Sequence, residues 1–206
     1  MTDQSERLEQ VAEDIKTFSD SPLYTYREEN NYQPVPGEGS PDSKIMLIGE
    51  APGKKEAQTG RPFVGSGGQL LDELLASIDL NREDVFITNL LKDRPPENRD
   101  PKPEDIKAYE PFLWRQIEIL QPRLIVTLGR FAMHFMLDAF HHPKKDHKIG
   151  EVHGSVFQGK ADYGPVYLLP LYHPAAALYN QSLKPDMEKD MKVLKGFLEK
   201  EDLSSS

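Results

Sequence analysis

The sequence predicts an α/β/α sandwich, three layers built on a mainly parallel central sheet. Three observations carry that expectation. KIMLIG (44–49), VFITN (85–89) and RLIVTLG (123–129) are short apolar runs, as strands buried on both faces would be. Stretches with apolar residues at helical spacing alternate with them. Unusual segments rich in Gly, Pro, Asn or Ala follow several strand ends, where open parallel sheets bind their ligands.

The elements follow in order. A helix is expected over 5–18, with Leu8, Val11, Ile15 and Phe18 near one face. Residues 19–43, rich in Ser, Pro, Asn and Gly, read as an irregular wrap. KIMLIG is the first strand, and a long loop runs from it to Gly68. A helix over 69–78 then places Leu70, Leu71, Leu74, Leu75 and Ile78 on one side. VFITN is the next strand, followed by a Pro-rich loop from Leu91 to Pro103. Pro103 opens a helix to about Leu120, because the first helical position needs no N–H donor. RLIVTLG, a helix to about Phe140 and the charged loop HHPKKDHKIGE come next. VHGSVFQ (152–158) and PVYLLPLYH (165–173) read as strands, and 183–200 as the last helix. One domain is expected over 1–206: an N-terminal helix and wrap at 1–43, the core at 44–198 and a flexible tail at 199–206.

Composition excludes several classes. The chain has no cysteine, which removes disulfides, thiolate metal sites and a cysteine nucleophile. No apolar window is long enough for a transmembrane helix. The polar, acidic start MTDQSERLEQVAEDI lacks the features of a signal peptide, so a cytoplasmic protein is expected. The formal net charge of −9 argues against a nucleic-acid partner, but its distribution does not. Residues 1–42 carry ten acids and three bases, a balance of −7, while residues 43–182 carry eighteen acids and seventeen bases. Bases gather in loops as Lys54, Lys55 and Arg61, then Lys92, Arg94, Arg99 and Lys102. Each cluster reads equally well as ordinary solvated loop charge.

Three segments carry candidate chemistry. In GEAPGKKEAQTGRPFVGSGGQLL (49–71), Gly and Pro fix a loop that brings backbone N–H groups near a ligand. Glu50 stands one residue past the strand, and Phe63 sits in a rigid RPFVG turn, suited to stacking on a flat ring. The segment lacks the phosphate-loop pattern G-x-x-x-x-G-K-[ST]. In TNLLKDRPPENRDP (88–101), Asn89 ends a strand and offers a donor beside an acceptor; Asn98 lies further along the loop. In YHPAAALY (172–179), His173 follows a buried strand, Ala175 to Ala177 permit close backbone approach, and Leu178 is an apolar wedge. Each segment alone also suits a purely structural role. The stretch His141, His142 and His147 reads as a solvated loop rather than a metal site.

Together these segments resemble the uracil-DNA glycosylase superfamily, nearest its family 4, the iron–sulfur enzymes. The matching stretches are GEAPGKKEAQTGRPFVGSGGQLLDELL, TNLLKDRPPENRDPKPEDI, PFLWRQIEILQPRLIVTLGRFA and LPLYHPAAAL, spanning about 44–198. The resemblance implies a monofunctional glycosylase that flips uracil out of DNA and hydrolyses its bond to deoxyribose. It implies Glu50 and His173 as catalytic, Glu50 on the water and His173 on uracil O2. It implies Glu56, Phe63, Asn89 and Asn98 as uracil-binding, Asn89 matching O4 and N3–H. Lys54, Arg61, Lys92, Arg94, Arg99, Ala177 and Leu178 are the expected DNA contacts. Uracil-containing DNA is the expected partner, with no membrane association and no second protomer.

The chain departs from the family in one respect. The four cysteines that hold the family's [4Fe–4S] cluster align with Phe18, Ser21, Asp93 and Tyr109, none of which supplies a thiolate. No cofactor and no metal are therefore expected, with packing of residues 5–43 against the 93–109 region in the cluster's place. Two rivals stand beside this reading, a non-catalytic binder and a nucleotide-binding enzyme of free metabolites. Because no KRRIH-type insertion follows the second motif, hydrolysis without covalent trapping is expected.

Overall fold

The computed structural model describes residues 3–203. Six strands form one sheet: β1 (Glu38–Gly39), β2 (Ile45–Gly49), β3 (Phe86–Asn89), β4 (Leu124–Leu128), β5 (Phe157–Ala161) and β6 (Gly164–Leu171). They lie in the order β1-β3-β2-β4-β6-β5. The inner four are parallel, and the edge strands β1 and β5 run antiparallel to their neighbours. The register sets Gly49 beside Asn89, so β2 and β3 end level.

Alternation along the strands builds two cores. Ile45, Leu47, Val126, Leu128, Leu169 and Leu171 face one side. They meet Leu70, Leu71, Leu74 and Leu75 of α4 (Ser66–Ala76) and Met187, Met191, Leu194 and Leu198 of α9 (Lys184–Lys200). Met46, Ile48, Phe86, Ile125 and Leu168 face the other, against Leu113, Ile117 and Leu120 of α5 (Pro103–Leu120) and Met133, Met136 and Leu137 of α6 (Arg130–Ala139). Each fully buried Leu or Ile contributes roughly 1.5–3 kcal/mol of transfer free energy, so both faces are strongly specified. The expected three-layer sandwich is the observed one.

Smaller elements differ from the sequence reading. The irregular wrap contains α2 (Tyr24–Glu29) and the edge strand β1, and the long loop after β2 contains α3 (Lys54–Thr59). The strand expected over 152–158 begins only at Phe157. Val152 instead closes the short helix α7 (Ile149–Val152), and Gly154, at φ +67°, redirects the chain. The first helix, α1, spans Asp3–Thr17. At the other end α9 runs to Lys200, Glu201 accepts from Arg123 at 2.8 Å, and Leu203 packs on the core. Those residues of the tail are therefore docked, while 204–206 lie outside the described residues. Among the described residues no helix is long and apolar enough to cross a membrane.

Candidate active site

The four parallel strands deliver one residue each to the carboxyl edge of the sheet. Glu50 follows β2, Asn89 ends β3, Gly129 follows β4 and His173 lies just past β6. Strand order reverses across β2, so these loops surround a crevice of the kind open parallel sheets use for ligands. The cleft measures about 560 Å³. Glu50, Glu56, Phe63, Asn89, Asn98 and His173 all line it, as do Arg99, Leu178 and Tyr179.

Two glycines let the side chains meet. A Cβ on Gly49 would lie 2.3 Å from Asn89 Oδ1 and 2.6 Å from Phe63 Cζ, so the ring and the amide converge over bare backbone. A Cβ on Gly129 would lie 2.3 Å from Glu50 Oε1 and 3.2 Å from the His173 Cβ. The carboxylate and the histidine thus approach each other over Gly129. Phe63 and His173 are near parallel, with ring centroids 5.6 Å apart.

Phe63 is held in an unfavourable backbone conformation, φ +51°. Such strain, of order 1–3 kcal/mol, persists only where neighbours over-determine it. Arg82 donates to the carbonyls of Pro62 and Phe63. On the far side, Glu56 Oε1 accepts from Val64 N at 2.9 Å and Gly65 N at 2.7 Å. Glu56 therefore lines the pocket while fixing the turn that aims the ring.

The polar groups have distinct electrostatics. Asn89 is 2% exposed, and among the described residues its Oδ1 has no donor. A buried acceptor left unpaired costs about 1–3 kcal/mol, and so marks a place where a ligand donor belongs. His173 Nδ1 accepts from Ala175 N at 3.2 Å, which puts the ring proton on Nε2. Burial pushes its pKa down to about 4, against a small opposing pull from Glu56, so the ring is neutral at pH 7. Burial raises the pKa of Glu50, partly offset by the Phe131 N–H at 3.4 Å and by Arg130.

The basic residues expected to contact DNA divide among exposed, internally paired and buried positions. Lys54 is exposed. Arg61 forks onto Glu38 at 2.8 and 3.1 Å, and Arg99 pairs with Asp105 at 2.6 Å. Arg94 donates to Asn98 Oδ1 and to the Tyr32 hydroxyl, each at 2.8 Å. Lys92 is a correction: it is fully buried beneath the loop and presents nothing to a phosphate. Ala177 is another, because it packs into the core beside α4. The exposed apolar lip is Leu178 with Tyr179, which is 91% exposed. Sequence reading missed Tyr179, Arg82 and Gly129; the strand-then-glycine pattern RLIVTLG, parallel to KIMLIG, marks the last of these.

The four positions aligned with cluster cysteines do come together. Tyr109 OH donates to Asp93 Oδ2 at 2.6 Å, Ser21 Oγ bonds the Tyr109 hydroxyl, and Phe18 meets the Tyr109 ring edge-on at 5.8 Å. Arg27, missed from sequence and 4% exposed, bonds Asp93 at 3.2 Å and the Phe18 carbonyl at 3.3 Å. Oxygens already bonded to one another, beside an aromatic ring, do not fit a [4Fe–4S] cluster, which requires thiolates or their equivalents.

Residues 36–195 match the Uracil DNA glycosylase superfamily, and the chain belongs to that superfamily. The chain is 42% identical to a type-4 uracil-DNA glycosylase of Archaeoglobus fulgidus over 92% of either chain. It is 39% identical to a type-4 uracil-DNA glycosylase of Thermotoga maritima over 98% of this chain and all of that one. A type-5 uracil-DNA glycosylase of Thermus thermophilus is 35% identical over 68% of either chain.

Proposed function

We propose that this chain is a hydrolytic uracil-DNA glycosylase, releasing free uracil and leaving an abasic site. The unpaired Oδ1 of Asn89 carries the reading. It requires a donor, and uracil N3–H supplies one while uracil O4 accepts from the amide nitrogen. Cytosine presents an acceptor and a donor at those two places and is refused. Phe63 stacks on the base, and the Nε2–H of His173 donates to O2.

The base leaves the duplex first, at a cost of roughly a few kcal/mol, with Leu178 and Tyr179 at the lip to occupy the gap. The C1′–N1 bond then breaks with its electron pair going to uracil, and the sugar becomes oxocarbenium-like. Asn89 and His173 stabilise the charge on the base, each donor contributing about 3 kcal/mol. Glu50 orients a water whose oxygen adds to C1′. The water gives up a proton, and uracil takes one at N1.

The enzyme works without an iron–sulfur cluster, as a monomer on DNA in the cytoplasm. The donor set at Phe18, Ser21, Asp93 and Tyr109 supports the first point. Purified protein is expected to contain no stoichiometric iron and to keep its rate in chelator. The main test is an oligonucleotide with one uracil. Free uracil and an alkali-labile site are the expected products, with thymine and cytosine controls intact; absence of free uracil overturns the reading.

A further inference from the structure

Lys92 is fully buried behind the strand end that carries Asn89. Its Nζ donates to the Asn89 main-chain carbonyl at 2.8 Å, to Thr88 Oγ1 at 2.6 Å and to Gln116 Oε1 at 2.9 Å. The Gln116 amide donates from Nε2 to the Pro36 carbonyl at 2.8 Å, which turns its oxygen toward the lysine. Thr88 donates to the same carbonyl at 2.9 Å. All three partners of the ammonium are neutral oxygens. Buried cations ordinarily sit against carboxylates, because removing a charge from water is expensive without a counter-charge. Here the cation lies against the main chain of the residue that reads the base. Burial pushes its pKa down to about 7, so negative charge arriving in the pocket would stabilise the ammonium.

We propose that Lys92 is a positioning residue whose ammonium, acting through Asn89, is the protein's counter-charge for the departing base. This rests on the reading of the cleft as a uracil site. Lys92 holds Asn89 from behind and favours the electron pair of C1′–N1 moving onto uracil. No proton leaves the lysine, and the base is protonated later at N1 from water.

The test compares single-turnover release of uracil and of 5-fluorouracil from single-stranded oligonucleotides. Fluorine makes the second base a better anionic leaving group, less dependent on a counter-charge. Lys92→Met should slow uracil release on the order of a hundredfold, by analogy with loss of an oxyanion donor, and fluorouracil release far less. Gln116→Glu sets a carboxylate against the ammonium. It keeps the Nζ contact, cancels the field at the pocket, and should give the same selective loss. It decides the question alone if Lys92→Met does not fold. Equal slowing of both bases, or no slowing, overturns the proposal while leaving the uracil reading intact. A wild type that releases neither base overturns both.

Discussion

The main-chain N–H of Ala175 meets Nδ1 of His173 at 3.2 Å, and that bond decides what the ring offers to a substrate. With Nδ1 accepting, Nε2 carries the proton, and burial keeps the ring neutral down to about pH 4. Glu50, across Gly129, is shifted the opposite way by the same cause, since burial raises a carboxyl and lowers an imidazole. The one environment thus keeps His173 a neutral donor at neutral pH and makes Glu50 a stronger proton acceptor than an ordinary carboxylate.

The rate of uracil release should fall on the acid side as Glu50 takes up a proton. That limb should lie above the ordinary carboxylate range, because burial raises the Glu50 pKa. Glu50→Gln should lower the maximal rate and remove the acid limb. Single-turnover rates from pH 4 to 8 check this, and a limb that persists unchanged in Glu50→Gln removes Glu50 from the water-activating role.

His173 also ties stability to pH. Its folded pKa, about 4, lies below the ordinary imidazole value of 6.5, so the unfolded chain binds more protons between those values. Its contribution is present above about 6.5 and is lost as pH falls toward 4, by at most on the order of 3 kcal/mol. His173→Ala should therefore lose less stability than wild type between pH 7 and 4.5 in denaturant titrations. A parallel loss in both proteins would show that His173 is not the sensor.

Gly49→Ala should nearly abolish uracil release. The new methyl would lie 2.3 Å from Asn89 Oδ1 and 2.6 Å from the Phe63 ring, so one of them must move. Over-packing of this kind costs about 1–3 kcal/mol in stability, whereas a displaced reader and stacking ring should cost at least a hundredfold in rate. Melting temperature and single-turnover rate measured together separate the two effects.

The core of this arrangement is legible in the sequence for a physical reason. Strands buried on both faces leave unbroken apolar runs, and the residues just past them, Glu50, Asn89 and His173, fall at the ligand-binding edge. The helix Pro103–Leu120 is marked at its start by proline. What is hidden depends on tertiary surroundings. Lys92 in a Pro-rich loop looks solvated until Thr88 and Gln116 are seen around it. Arg61 and Arg99 look free for phosphates until Glu38 and Asp105 are placed. Short helices such as Tyr24–Glu29 bury too few residues to stand out from a polar wrap.

Arg27 and Asp93 form a buried ion pair at 3.2 Å beside the hydroxyls of Ser21 and Tyr109. Truncating one partner of such a pair leaves a lone buried charge and costs about 3–5 kcal/mol. Arg27→Met should lower stability by that order, and Arg27→Met with Asp93→Leu should recover part of it. Tyr109→Phe, which removes the hydroxyl linking Ser21 to Asp93, should cost about 1–3 kcal/mol. Denaturant unfolding across the mutant cycle checks this. Additive losses in the double variant would mean that the pair does not hold the wrap to the core.

Leu178 and Tyr179 stand exposed at the mouth of the cleft, on the short helix Ala176–Tyr179 that follows His173. Leaving two large apolar side chains in water is unfavourable without a surface to receive them, and the gap left by an extruded base is such a surface. Single-stranded DNA has no partner strand from which the base must be pulled. Leu178→Ala should therefore slow release from duplex DNA roughly tenfold or more, corresponding to about 1.4 kcal/mol of lost gap filling, and spare single strands. Tyr179→Ala should act in the same direction. Rates on matched single- and double-stranded substrates check this, and equal slowing on both would place these residues in general DNA binding rather than in extrusion of the base.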